Sequence, residues 1–178
     1  MKKQPNSVAL EDANIPSGLS RRSFLKRVGG GLVIAVSLND FSVLADVVDQ
    51  QMPKDLNAYL RVGEDGMVSC FTGKIEMGQG INTSLAQMMA EELDVSVDNV
   101  VMVMGDTDLC PYDRGTWGSL TTRFFGPPLR SAAAEARMIL IEMAAERLSM
   151  FPTDLTVTNG VVHGRQDASK KISYADLT

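Results

Sequence analysis

Apolar and polar positions along the chain switch between a period of two and a helical period. From Asn57 to Thr72 the pattern reads as a hairpin. Ala58-Tyr59-Leu60-Arg61-Val62 leads to a turn at Glu64-Asp65-Gly66, and Met67-Val68-Ser69-Cys70-Phe71 returns. Asn82 to Leu93 reads as a helix, with Leu85, Met88, Met89 and Leu93 on one face and Asn82 as its candidate cap. Asn99 to Met104 is a short β-rich run suited to a buried strand. Pro127-Pro128 opens a second helix to about Ser149, along which Leu129, Ala132, Ala133, Ala136, Leu140, Met143, Ala144 and Leu148 recur at helical spacing. Thr156-Val157-Thr158, Asn159-Gly160 and Val161-Val162-His163 form a second hairpin. Ile172 to Thr178 begins a further element without a terminating signal, so the chain is expected to be cut rather than finished. These elements predict an α+β fold, with mixed strands and two main helices packed on one face.

Between the first hairpin and the first helix lies Gly73-Lys74-Ile75-Glu76-Met77-Gly78-Gln79-Gly80. Glycines let a ligand approach the backbone, and the helix N-terminus that follows offers N–H groups and partial positive charge to a phosphate-bearing cofactor. Gln79 can donate to and accept from a heterocycle or an oxo group. The alternative is a tight strand-to-helix turn without a ligand. A dinucleotide fingerprint is excluded, because Thr83 stands where the third glycine belongs. No glycine loop runs into Gly-Lys-Ser/Thr, so a P-loop is absent as well.

Glu76-Met77-Gly78-Gln79-Gly80, followed by Thr83, Ala86-Gln87 and Ala90-Glu91-Glu92-Leu93, resembles the molybdopterin-binding large subunit of the xanthine dehydrogenase family, the molybdenum hydroxylases. A second block, Gly105-Asp106-Thr107-Asp108 and then Thr116-Trp117-Gly118-Ser119-Leu120-Thr121-Thr122, resembles that family's second cofactor loop. The two blocks sit in that family's order and at its usual separation, and the placement of the Met-Gly-Gln-Gly segment near the N-terminus behind an export signal resembles the branch containing isoquinoline 1-oxidoreductase beta subunits and periplasmic aldehyde dehydrogenases. The resemblance spans roughly residues 55 to 178, a minor part of a family subunit.

The resemblance implies that Met77, Gly78 and Gln79 contact the pterin and the apical oxo of molybdenum, with Gly118, Ser119, Leu120, Thr121 and Thr122 lining the cofactor from the second loop. It implies molybdopterin in its cytosine dinucleotide form, carrying molybdenum. It also implies a [2Fe-2S] small subunit as partner, the remainder of the large subunit, and cytochrome c as electron acceptor. The iron–sulfur clusters would sit only on the partner, since no cluster-binding Cys motif occurs here. The reaction implied is oxidation of an aldehyde or N-heterocycle with oxygen drawn from water. The family's catalytic base is a glutamate in a Gly-Glu motif near the far C-terminus, outside this chain, so no catalytic residue is assigned. Glu76 is expected to be a solvated or capping group instead. Taken without the resemblance, the Ser/Thr-rich second loop reads as capping chemistry. Trp117 shields a pterin or forms core, Asp106 and Asp108 read as turn residues, and His163 as solvent-facing.

Charge and targeting signals complete the picture. Ser20-Arg21-Arg22-Ser23-Phe24-Leu25-Lys26 resembles a twin-arginine export motif. The apolar stretch Val28 to Leu38 and a cleavage site after Ala45 follow it, and a linker spans residues 46–56. That route delivers folded, cofactor-loaded proteins to the periplasm. A retained anchor is the alternative, though the stretch is far shorter than the ~20 residues of a spanning helix. Cleavage would leave 11 of the 17 basic and 19 of the 22 acidic residues, a net charge of −8. Such acidity argues against nucleic acid, which needs clustered Lys and Arg. A single histidine makes a protein-ligated metal site improbable. Cys70 and Cys110 read either as one disulfide in an oxidising compartment or as two small buried residues. Two readings of the whole are carried forward: the N-terminal segment of an exported molybdenum hydroxylase large subunit, or a catalytically inactive truncated remnant of one. A small periplasmic module binding some other anion is a third.

Overall fold

The computed structural model of the protein describes residues 25–27, 31–36 and 58–178, with side chains from Leu60 onward. One sheet has the order β1 (Leu25–Arg27), β2 (Gly31–Val36), β3 (Ala58–Gly63), β4 (Val68–Thr72), β5 (Val100–Met104). All neighbours are antiparallel except β4 and β5, which run parallel, with Val68 opposite Val100 and Thr72 opposite Met104. Parallel strands need a crossover, and α1 (Ile81–Leu93) supplies it. The predicted first hairpin forms in register, Leu60 opposite Cys70, and turns at Gly66 with φ of 77°.

Leu60, Val62, Val68, Cys70, Val100 and Met102 are buried on one face of this sheet, and Leu85, Met89 and Leu93 of α1 join the same core. α1 packs against the long helix α2 (Gly126–Leu148). The buried positions of α2 are mostly small, with Ala132, Ala133, Ala136, Ala144 and Ala145 beside Leu129 and Leu140, and small residues allow two helices to approach closely. Arg130 of α2 clasps Glu91 and Glu92 of α1, each at 2.6 Å. Among the described residues the opposite face of the sheet is less covered. Ser69, Phe71 and Val103 are half-buried there, and Val101 is 44 % exposed. The run expected to be a buried strand thus buries Val100 and Met102 on one face only, and it is the last strand of this sheet among the described residues.

A second antiparallel sheet, β6 (Leu155–Thr158), β7 (Val161–Gly164) and β8 (Lys171–Ser173), ends in a short helix α3 (Tyr174–Leu177). Ser173 and Asp176 cap that helix reciprocally. The second sheet is fastened to the end of α1. Gly160 N–H donates to Asp94 O at 2.7 Å, and the buried Tyr174 hydroxyl donates to Leu93 O at 2.9 Å. The architecture is the expected α+β arrangement of mixed strands and two main helices.

The expected export motif, cleavage site and linker lie almost wholly outside the described residues. Within the apolar stretch Val28 to Leu38, however, Gly31–Val36 forms β2 and pairs along the whole of β3, Leu32 opposite Val62 and Ile34 opposite Leu60. A run of Leu, Val and Ile is as well suited to a strand as to an apolar signal core. Among the described residues, no helix is long and apolar enough to cross a membrane.

Candidate cofactor site

β4 and β5 deliver two loops to the same end of the sheet. Residues 73–80 leave the C-terminal end of β4, and residues 105–120 leave the C-terminal end of β5. In open sheets with parallel strands this is the end at which ligands bind.

Gly73 is where the loops touch. A Cβ there would lie 2.5 Å from Asp113 Cβ and 2.6 Å from Pro111 O, so only glycine lets the second loop lie against the first. Thr116 Oγ1 then accepts the Ile75 N–H at 3.0 Å. Lys74 reaches across as well, its ammonium 2.8 Å from Asp113 Oδ1 and 2.9 Å from Gly115 O.

The turn itself is closed by its own side chains. Glu76 Oε1 accepts the N–H groups of Gly78 at 2.7 Å and Gly80 at 3.0 Å, while Oε2 accepts Asn82 N–H at 2.9 Å. These donations, Asn82's first, hold the Glu76 carboxyl below the usual carboxylate range. Gln79 folds back, its Oε1 accepting Met77 N–H at 2.5 Å and its Nε2 donating to Ile75 O at 2.9 Å. The cap of α1 thus differs from the expectation. Asn82 lies inside the helix, Gly80 is the N-cap residue in the left-handed region with no side-chain cap, and the capping carboxylate comes from Glu76. An anion brought to this helix end would meet the Asn82 N–H already bonded to Glu76 and would face that carboxylate's charge. Glu76 thus disfavours a phosphate at this turn. What the turn presents outward is the exposed Met77 side chain and the glycine backbone, with the second lone pair and second N–H of the Gln79 amide left over from its bonds within the turn.

The second loop carries strain where the sequence places cofactor contacts. Gly118 and Ser119 are both left-handed, with φ of 62° and 56°, and Ser119 has no glycine's licence for it. Gly118, Ser119, Leu120 and Thr122 are exposed, whereas Thr121 is only 6 % exposed and is a buried residue rather than one of the loop surface. Residues 121–125 form a π-helical turn leading into α2, a feature that often accompanies functional positions and that the helical spacing did not announce. Trp117 is 54 % exposed and is not a core residue. With Ile75, Met77, Leu109, Tyr112 and Leu120 it adds an apolar component to the loop surface.

The remaining candidates have structural roles. Asp106 Oδ1 accepts the N–H groups of Asp108 and Leu109, closing a turn. Both cysteines are free; Cys70 is buried, which pushes its thiol up to about 12, and Cys110 hydrogen-bonds to Val103 O. His163 is partly exposed on the strand face opposite the buried Val162, its Nε2 3.1 Å from Thr158 Oγ1. Seven of the eight sequence-predicted contact residues, all but Thr121, are exposed: six on two loops that touch each other, and Thr122 on the π-helical turn that follows the second.

A fold with two conjoined loops at the carboxyl end of a parallel strand pair, lined by an amide, glycines and hydroxyls, is that of a cofactor-cradling domain. The chain belongs to the molybdopterin cofactor-binding domain family of molybdenum hydroxylase large subunits, whose sequence profile matches residues 11–178. It is 37 % identical over 159 residues to a nicotinate dehydrogenase chain of Pseudomonas putida, covering 89 % of this chain and 13 % of that protein. It is 32 % identical over 170 residues to the isoquinoline 1-oxidoreductase beta chain of Brevundimonas diminuta, covering 89 % and 22 %. The crystal structure of the Cu,Mo-CO dehydrogenase superposes with a TM-score of 0.59 at 29 % identity, over 67 % of this chain and 15 % of that one. The chain therefore spans about an eighth to a fifth of the length of these relatives.

Proposed function

We propose that this chain is the N-terminal part of an exported molybdenum hydroxylase large subunit that oxidises an aldehyde or N-heterocycle. The observation that carries this reading is the direct contact between the Gly73–Gly80 turn and the second loop, which brings Met77, Gly78 and Gln79 to the same end of the sheet as Gly118, Ser119, Leu120 and Thr122. The donor set fits a neutral heterocycle better than a bare anion at the turn, because the Glu76 carboxylate already accepts the Gly78, Gly80 and Asn82 N–H groups and would repel a second negative charge. Gln79 would hold the pterin-bound group by its amide, and the exposed hydroxyls of Ser119 and Thr122 would meet the phosphate oxygens of a dinucleotide form. When bound, the molybdenum–pterin group supplies the redox centre for hydroxylation with water-derived oxygen. Electrons would leave through a [2Fe-2S] small subunit and then cytochrome c.

Export by the twin-arginine route would place the protein in the periplasm. Cleavage after Ala45 would remove β1 and β2 and leave β3 as a sheet edge, so processing and the five-stranded sheet are alternative states of one chain. The other reading is a catalytically inactive truncated remnant of such a subunit. Molybdenum content and dye-linked aldehyde oxidation of the purified 178-residue chain test this account. It expects no turnover without the rest of the subunit, and stoichiometric metal with turnover would overturn it. An open reading frame continuing past Thr178 to a Gly-Glu motif supports the subunit reading, and a stop followed by remnants supports the other.

A further inference from the structure

Lys74 carries a buried charge that the cofactor contacts do not account for. Its side chain is 11 % exposed and that of its partner Asp113 is 7 % exposed. The ammonium donates to Asp113 Oδ1 at 2.8 Å and to Gly115 O at 2.9 Å, and it lies 5.6 Å from the centroid of the Phe125 ring. Asp113 Oδ1 also accepts Gly115 N–H at 2.8 Å, so the carboxylate shapes its own loop while it holds the lysine. Three elements converge on one cation: the end of β4, the second loop two residues before Trp117, and Phe125, the last residue of the π-helical turn. A buried ion pair costs desolvation that mutual attraction only partly offsets, so it adds little to stability but fixes geometry when both ends are fully bonded. Here both ends are bonded to backbone or charge, and the backbone atoms belong to the second loop.

We infer that Lys74 and Asp113 are positioning residues that latch the second cofactor loop to the first, setting the spacing of the cradle before any cofactor arrives. The inference rests on the cofactor reading for its purpose but not for its test. Gly73 brings the backbones together, Lys74 and Asp113 fix their relative placement, and Phe125 carries that placement into the start of α2.

Hydrogen exchange on the cofactor-free 178-residue chain, with Trp117 emission as a second readout, tests the latch. Lys74→Met, which keeps length and removes charge, should speed exchange of the amides of residues 113–120 and of Ile75 by at least about tenfold, the scale of one lost charged hydrogen bond. It should shift Trp117 emission and leave the α1 and α2 core amides unchanged. Asp113→Asn should loosen the same amides without Lys74 being touched, and it serves if Lys74→Met fails to fold. Lys74→Arg, which keeps the charge and the donors, should retain most of the protection. Unchanged exchange at 113–120 in Lys74→Met overturns the latch. Equal acceleration throughout the molecule, or equal loss in Lys74→Arg and Lys74→Met, also overturns it by showing a generic packing role. Adding molybdenum cofactor to the same samples is a separate arm: wild-type loops that the latch orders but that gain no protection from cofactor would fault the cofactor reading and leave the latch standing.

Discussion

Glu76 Oε2 lies 2.9 Å from the backbone nitrogen of Asn82, so the first turn of α1 is capped by a carboxylate six residues upstream, across the whole glycine turn. The same side chain holds Gly78 and Gly80. Glu76 is therefore the internal anion of this turn. Its ionised form is favoured in the folded state, so its folded value lies below the ordinary 4.5. The sign follows directly: the stabilisation is complete above the unfolded value and is lost as pH falls through the depressed folded one. The protection factors of the Gly78, Gly80 and Asn82 amides, taken relative to the intrinsic exchange rate at each pH, should fall as the pH drops below the ordinary 4.5 and through the depressed folded value, and Glu76→Gln should show the lower protection already at neutral pH. Equal protection in variant and wild type at pH 7 would contradict this role.

Much of this was legible in the sequence. Alternation and turn residues announced both hairpins, and the 3.6-residue repeat announced α1 and α2, because each of those signals is local. The site was legible as two loops, since Gly78-Gln79-Gly80 and Gly118-Ser119 are short motifs with strong backbone demands. What was not legible depended on partners distant in sequence. Nothing local tells that Glu76 rather than Asn82 caps α1, that Lys74 finds Asp113 39 residues on, or that Thr121 is buried. The strand pairing of residues 31–36 was hidden for another reason, that a short apolar run serves a strand and a signal core equally.

Gly73→Ala should separate the two loops. The added methyl meets Asp113 Cβ and the Pro111 carbonyl, and backbone on both sides leaves it no flexible side chain to displace. A loss of about 1–3 kcal/mol is expected from overpacking of this kind. Urea denaturation measures the loss, and Trp117 emission should shift at the same time. By contrast, Gly126→Ala meets only the Met88 thioether, at 2.9 Å, and should cost less because that side chain can swing away.

Tyr174→Phe should weaken the attachment of the second sheet. The hydroxyl is the buried donor to Leu93 O, 81 residues away, and burial pushes the phenol well above its ordinary range. Losing it leaves a carbonyl unsatisfied at a cost of about 1–3 kcal/mol. The urea midpoint should fall, and exchange at Gly160 and Tyr174 should rise first.

Replacing Arg21 and Arg22 by lysines should stop export if the twin-arginine reading holds, leaving precursor in the cytoplasm. The N-terminus of any periplasmic product should be Asp46. A periplasmic product that retains Gly31–Val36 would instead mean that β2 stays on β3 in the exported protein.

The most direct test of the central claim is hydrogen exchange of the wild-type chain with and without molybdenum cofactor, supplied anaerobically at saturation. The account predicts protection confined to two stretches at once, residues 75–80 and 115–122, with the β3–β4 turn unchanged. Protection of only one stretch, or of neither, would contradict a cradle shared by the two loops.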